Sequence, residues 1–136
     1  MEKVLLVFAI AFPCVFLFAQ TTGSPAKRSQ LDGIWELVSG QPLPKEARDI
    51  KIISGGHFIF VAYDMESGEP LYTGGGTYTL NGRSYSEHID FASDKISAGL
   101  VGKDQPFTVR VGGDTFTHTG TLSNGEALSE TWKRVN

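Results

Sequence analysis

Cysteine is almost absent from this sequence, and its scarcity excludes several kinds of protein. The one cysteine, Cys14, lies in an apolar N-terminal segment. If that segment is removed, the remaining chain has no disulfide, thiolate nucleophile or cysteine metal site. Charge is also sparse, at 20% charged residues with a formal net charge of −3, so no basic surface points to nucleic acid. The 40% of hydrophobic residues argues against a disordered chain.

The longest apolar run of the sequence lies at its N-terminus and resembles a targeting signal. Lys3 supplies a positive charge before the apolar residues 4–19, a run shorter than the roughly 20 residues that a membrane-spanning helix needs. Pro13 interrupts the run, and Ala19 followed by polar Gln20 offers a cleavage site. The pattern predicts a signal peptide cleaved near Ala19–Gln20, with an uncleaved membrane anchor as the alternative.

The rest of the chain divides into two parts. Residues 20–30 are polar and contain proline and glycine, which is typical of a flexible leader. Residues 31–136 have the length and composition of one domain. We therefore expect a signal peptide over 1–19, a leader over 20–30, and a secreted or periplasmic domain without a membrane span after cleavage.

Strand-length apolar runs recur along the domain, and turn residues separate them. The sixteen glycines of the chain do not suit a helical bundle, and only Ala92–Leu100 could form a helical turn. Eight antiparallel strands joined by short hairpins have unpaired edges unless the sheet closes. The pattern predicts an all-β fold, an eight-stranded antiparallel up-and-down barrel, with a two-sheet sandwich as the alternative. The predicted strands are Ile34–Ser39, Asp49–Ser54, His57–Asp64, Leu71–Leu80, Arg83–Phe91, Pro106–Gly112, Thr115–Leu122 and Leu128–Val135.

Glycines in the middle of the domain predict a hairpin and a bend. Asn81-Gly82 favours a type I′ turn, which would pair Leu80 with Arg83 and Tyr78 with Tyr85. The run Gly74–Gly76 lies inside a predicted strand with no helix after it, so a phosphate-binding loop is not expected there. A bend that helps the barrel to close, or a close approach of two backbones, explains it better.

Two later turns predict which residues share the inner face. Gly113-Asp114 suits a two-residue turn that pairs Val109 with His118. Ser123–Gly125 can form a three-residue loop that places His118 opposite Glu130, whereas a two-residue turn would put Glu130 on the outer face. We prefer the longer loop because it buries a tryptophan against a phenylalanine.

The sequence resembles the lipocalin and calycin superfamily at both ends of the domain. Gly33-Ile34-Trp35 matches the Gly-x-Trp signature of that superfamily, and Arg134 matches its late arginine. The resemblance implies a structural signature of Gly33, Trp35 and Arg134, in which the arginine covers the tryptophan and closes one barrel end. The middle of the domain is similar to small bacterial secreted proteins called lipocalin-like, whose function is uncharacterised. That similarity lies in His57–Phe60, Gly74–Leu80 and Tyr85–Phe91.

Polar and aromatic side chains on the predicted inner face are the candidate site. A buried carboxylate must pair, become neutral or meet water, so these residues form either a satisfied internal network or the wall of a cavity. The cavity hypothesis predicts non-enzymatic binding of a small, partly apolar ligand, with no cofactor. The candidate ligand-binding residues are Tyr78, Tyr85, Glu87, His118, Glu130, Phe58, Phe60, Phe107 and Phe116, with Phe91 as a further part of the apolar wall.

Two other classes of function stay open. A small isomerase or cyclase could use His118 as a base with Glu130 or Glu87. An inhibitor or interaction module could act through loops 64–70 and 92–105. No metal is expected, because the three histidines of the chain fall on different faces and lack a metal-binding spacing.

Overall fold

A computed structural model describes residues 27–136 of the chain. The predicted signal peptide and the first part of the predicted leader lie outside the described residues. Within residues 27–136, no helix is long and apolar enough to span a membrane.

The domain is a closed barrel in which each of eight strands pairs with its sequence neighbours and the last strand pairs with the first. All pairs are antiparallel, so the predicted all-β up-and-down barrel is confirmed. One short helix, α1, spans Lys95–Ala98 inside the segment predicted to form a helical turn. The strands are β1 (Gly33–Ser39), β2 (Ala47–Ser54), β3 (His57–Asp64), β4 (Pro70–Asn81), β5 (Ser84–Ala92), β6 (Asp104–Gly112), β7 (Thr115–Thr121) and β8 (Ala127–Arg134).

The turns set the register of the barrel, and two of the three predicted turns are confirmed. Val109 pairs with His118 across the β6–β7 turn, and His118 pairs with Glu130 across the three-residue β7–β8 loop. The predicted β4–β5 register is wrong, because Leu80 pairs with Tyr85 and not with Arg83. The turn consists of Gly82 and Arg83, with Gly82 at a φ of 60°, and a shift of two residues does not by itself move a side chain to the other face.

A bulge in β5 bends the sheet beside the glycine run of β4. The pairing changes from Gly75 with Phe91 to Gly76 with Ile89, which leaves Asp90 as an extra residue. A Cβ on Gly76 would collide with the backbone carbonyl of His88, so this position needs glycine. The bulge also reverses the orientation of the residues that follow it. Phe91 is therefore 46% exposed, and its predicted place in the inner wall is wrong.

One end of the barrel is closed by packed side chains. Trp35 is fully buried, and its ring meets Phe116 edge-on, with 4.7 Å between ring centroids. The guanidinium of Arg134 lies 4.1 Å from the centre of the Trp35 ring and donates a hydrogen bond to the Asp32 carbonyl at 2.9 Å. The indole of Trp35 donates in turn to the Leu31 carbonyl. The segment before β1 is thus fixed across this end, which is called the closed end below.

The outer face of the barrel carries a row of apolar side chains. Ile34 pairs with Ile52, Ile52 with Ile59, and Ile59 with Gly75, which pairs with Phe91. The four side chains of this row are between 40% and 46% exposed. The apolar residues of β2 at positions 50 and 52 consequently do not face the core, and the polar residues that alternate with them do.

Candidate functional site

A layer of charged side chains crosses the middle of the barrel. β2 contributes Lys51, β5 contributes Glu87, β7 contributes His118 and β8 contributes Glu130, and each is at most 6% exposed. Each strand places its residue inward because alternate side chains face the core. Buried charged groups are costly unless they are paired. Hydrogen bonds within this layer pair most of its charged groups.

Lys51 and Glu87 form the first buried pair of this layer. The Lys51 ammonium donates to Glu87 Oε1 at 2.7 Å, and the Tyr85 hydroxyl donates to the same oxygen at 2.6 Å. The ammonium also lies 4.9 Å from the centre of the Trp132 ring. Burial, together with the charge of Glu87, raises the pKa of Tyr85 well above its usual range, so the hydroxyl remains a hydrogen-bond donor.

His118 and Glu130 form the second buried pair. Their Nε2 and Oε2 atoms are 2.7 Å apart, and the Trp132 indole donates to the same oxygen at 3.1 Å. Burial raises the pKa of Glu130, but the hydrogen bond from His118 and the charge of Lys51 outweigh it, and the net pKa is lowered. An ionised carboxylate only accepts hydrogen bonds, so His118 Nε2 carries the donated proton. His118 Nδ1 is buried and has no partner within residues 27–136.

Asp49 is a third buried carboxyl group. It lies two residues before Lys51 on β2, on the same inward face. Its Oδ2 accepts a 2.7 Å hydrogen bond from the Tyr72 hydroxyl, and Gln41 donates to that hydroxyl at 3.0 Å. Asp49 Oδ1 is buried and lacks a partner in the described part of the chain. The pKa of Asp49 is raised to about 6, mainly by burial and also by the nearby charge of Glu130, although the hydrogen bond from Tyr72 and the charge of Lys51 oppose the change.

A cavity of about 130 Å³ lies between the charged layer and the barrel end opposite the closed end. Its polar wall contains Asp49, Lys51, Glu87, His118 and Glu130. A cavity of about 150 Å³ holds benzene in another protein, so this one has room for a molecule of roughly six non-hydrogen atoms. The rim is formed by the β1–β2 loop, α1 and the β7–β8 loop, and the apolar wall contains Phe60, Ile89, Leu100, Phe107, Leu122 and Leu128.

The residues predicted as ligand-binding separate into two groups. Glu87, His118, Glu130, Phe60 and Phe107 line the cavity. The other four belong to the core beneath it or pack against that core. They are Phe58, Tyr78, Tyr85 and Phe116.

Asp49, Lys51 and Gln105 line the cavity but were not predicted from the sequence. A signal for the first two exists in the Gly55-Gly56 turn. A two-residue turn there pairs Lys51 with Phe60, and an inward Phe60 then requires inward Lys51 and Asp49. Gln105 donates to Ser123 at 3.1 Å and accepts from its amide, which ties β6 to the β7–β8 loop at the rim.

The histidines are separated as the sequence predicts. His118 is buried, His57 is exposed at the β2–β3 turn, and His88 contacts Asp104 on the outer surface at 2.6 Å. Across residues 27–136, no three histidine, aspartate or glutamate side chains are grouped so that they could hold a metal ion.

Comparison with known proteins gives a family for this barrel. Residues 30–136 match DUF4488, a domain of unknown function, and the match covers all eight strands. None of the curated proteins matches the chain. The chain belongs to the DUF4488 family.

Proposed function

We propose that this protein is an exported, lipocalin-like barrel that binds a small, partly apolar molecule without transforming it. The observation that carries the proposal is the cavity, because two residues of its polar wall, Asp49 and His118, each have a buried atom without a hydrogen-bond partner in the described part of the chain, Oδ1 and Nδ1 respectively. An unsatisfied buried polar group costs about 1–3 kcal/mol, and a ligand that bonds to it recovers this cost. The apolar wall offers burial for the rest of such a ligand.

The two ends of the barrel support a binding role. The Trp35–Arg134 contact closes one end, so a ligand enters past the loops at the opposite rim. The stacked arginine and tryptophan are also what the lipocalin resemblance leads one to expect. Export rests on the signal peptide prediction, and intact-mass analysis of protein from its natural host should find a chain that begins within a few residues of Gln20. A full-length chain held in the membrane fraction would contradict export.

Native mass spectrometry of protein from the natural host tests binding. The wild-type spectrum should contain a small molecule, or the protein should bind fragments of about six non-hydrogen atoms after dialysis. His118→Leu/Glu130→Gln should lose this binding and stay folded. The matched control is His88→Leu/Asp104→Asn, which removes a histidine–carboxylate pair from the outer surface. Binding would be refuted if the wild type took up no molecule in either test, and the site would lie elsewhere if both double variants behaved alike.

His118 Nδ1, which has no hydrogen-bond partner among the described residues, supports a second candidate, a small isomerase. Glu130 accepts the hydrogen bond of His118 Nε2, so in a neutral ring Nδ1 carries the lone pair that would remove a proton from a carbon next to a carbonyl. In D₂O, the wild type should exchange the protons beside the carbonyl of cyclopentanone faster than His118→Gln does, as followed by NMR. Equal exchange in both proteins would refute this candidate.

A further inference from the structure

Asp49 differs from the two buried glutamates in its partners. Glu87 accepts a hydrogen bond from the ammonium of Lys51. Glu130 accepts hydrogen bonds from His118 and from the indole N–H of Trp132. Asp49 accepts a hydrogen bond on one of its two oxygens, and the donor is a neutral group, the hydroxyl of Tyr72. Its other oxygen has no hydrogen-bond partner within residues 27–136, although the side chain is 2% exposed and lines the cavity.

The formal charge of the buried wall is negative. Asp49, Glu87 and Glu130 carry three negative charges, whereas Lys51 carries one positive charge and His118 at most one more. The sum is −1 or −2 in a space largely removed from water, where an uncompensated charge is expensive. A ligand with a positive charge would reduce this imbalance, and a negative ligand would increase it.

The surroundings of Asp49, a residue of the cavity wall, leave one of its oxygens without a hydrogen-bond partner among residues 27–136. Gln41 donates to the Tyr72 hydroxyl, and that hydroxyl donates to Asp49 Oδ2. This chain of hydrogen bonds fixes the carboxyl group by one oxygen. The apolar residues Phe60, Ile89 and Leu100 line the same cavity, and they suit a hydrocarbon body attached to a charged head.

We propose that the cavity binds a small organic cation, an amine of roughly six non-hydrogen atoms whose ammonium donates to Asp49 Oδ1. This inference rests on the proposed binding function and names the ligand class. Charge-assisted hydrogen bonds of this kind are stronger than neutral ones. Selectivity for an amine over a neutral molecule of the same shape therefore depends on Asp49.

Three probes of matched size, about six non-hydrogen atoms each, test the ligand class: cyclopentylamine, cyclopentanol and cyclopropanecarboxylate. The readout is the indole N–H signal of Trp132 in the ¹⁵N–¹H NMR spectrum, because Trp132 lines the cavity. The Trp35 indole is bonded at the closed end and serves as the internal reference for the fold. Near pH 8, we expect the amine to bind at least about tenfold more tightly than the alcohol, and the carboxylate more weakly than either.

Asp49→Asn keeps the shape of the side chain and should abolish the preference for the amine. Asp90→Asn is the matched control, because Asp90 lies exposed on the outer face of β5 and should leave the preference intact. The wild type provides a second test, since the preference should disappear when the pH falls well below the Asp49 pKa of about 6. Tyr72, Lys51 and Glu130 are the other titratable groups that act on this carboxyl group.

The outcomes separate this inference from the binding function beneath it. If the alcohol or the carboxylate binds as tightly as the amine, or if Asp49→Asn keeps the preference, the cation inference is overturned and the cavity remains a binding site. If none of the three probes moves the Trp132 signal, both proposals are overturned.

Discussion

Replacing Asp49 by Asn tests whether the ionised Asp49 carboxylate lowers the free energy of unfolding in a pH-dependent way. Burial is the main cause that raises the pKa of Asp49 from 3.8 to about 6. A carboxyl group with a raised pKa destabilises the fold above that pKa, and the fold regains stability as the pH falls and the group takes up its proton. The window runs from about pH 6 down to the unfolded value of 3.8.

The two pKa values set the size of the expected effect. Relative to Asp49→Asn, the wild type should gain about 1 kcal/mol of unfolding free energy between pH 8 and pH 5, and about 2 kcal/mol by pH 4. The Asn side chain adds a constant offset because its amide does not titrate. The offset does not change with pH. The test is therefore how the difference in unfolding free energy between the two proteins varies with pH.

Urea denaturation at several pH values measures this difference. Glu130→Gln is an informative control because the net pKa of Glu130 is lowered. Its carboxylate stabilises the fold above the unfolded value of 4.5 and loses that effect as the pH falls, so the difference should move in the opposite direction. A constant difference between wild type and Asp49→Asn from pH 8 to pH 4 would refute the argument that Asp49 is desolvated.

Three further substitutions test the packing of the barrel by urea denaturation. Arg134→Ala should cost about 2 kcal/mol through the lost ring contact and carbonyl bond, whereas exposed Lys133→Ala should change stability by less than about 0.5 kcal/mol; equal effects would contradict a stabilising clamp. Lys51→Met should cost about 3–5 kcal/mol near neutral pH, because it leaves the buried carboxylate of Glu87 without its cation, and a loss that does not shrink in acid would argue against this cause. Gly76→Ala should cost at least about 2 kcal/mol through its clash with backbone, whereas Gly112→Ala, which meets nothing within 4 Å, should be neutral; a tolerated Gly76→Ala would refute the need for glycine at the bulge.

The barrel could be predicted from the sequence because its turns are short and their residues are specific. Gly113 and Gly125 both adopt the positive φ that the predicted turns require, and these turns correctly pair His118 with Glu130. The Asn81-Gly82 prediction chose the wrong pair of turn residues. Its consequences for the inner face were nevertheless correct, because a shift of two residues preserves the alternation of a strand.

The site was only partly predictable because β2 reverses the usual pattern of apolar residues inside and polar residues outside. Ile52 looks like a core residue but is 43% exposed, whereas Asp49 and Lys51 look like surface residues and are each 2% exposed. Hydrophobicity alone therefore gives the wrong face for this strand. The turn geometry gives the right one, but only when it is combined with the placement of β3.

The error at Phe91 has a different origin. An extra residue in a strand reverses the faces of everything after it, and a bulge leaves little trace in a single sequence. The glycine run of β4 was a sign of close backbone approach, and its third glycine lies opposite the bulge. Which residue on the neighbouring strand would be the extra one could not be read from the glycines.

The contact between Arg134 and the segment before β1 has a consequence for the order of folding. The guanidinium and its acceptor carbonyl are separated by 102 positions along the chain, and β8 is also the strand that pairs with β1. A chain that has not yet supplied β8 leaves β1 and β7 with unpaired edges, which are templates for aggregation. Closure of so long a loop is entropically costly and slows folding. Until β8 has been synthesised, the growing polypeptide has an open sheet that can self-associate. A chaperone that binds unfolded chains would be most useful during that time.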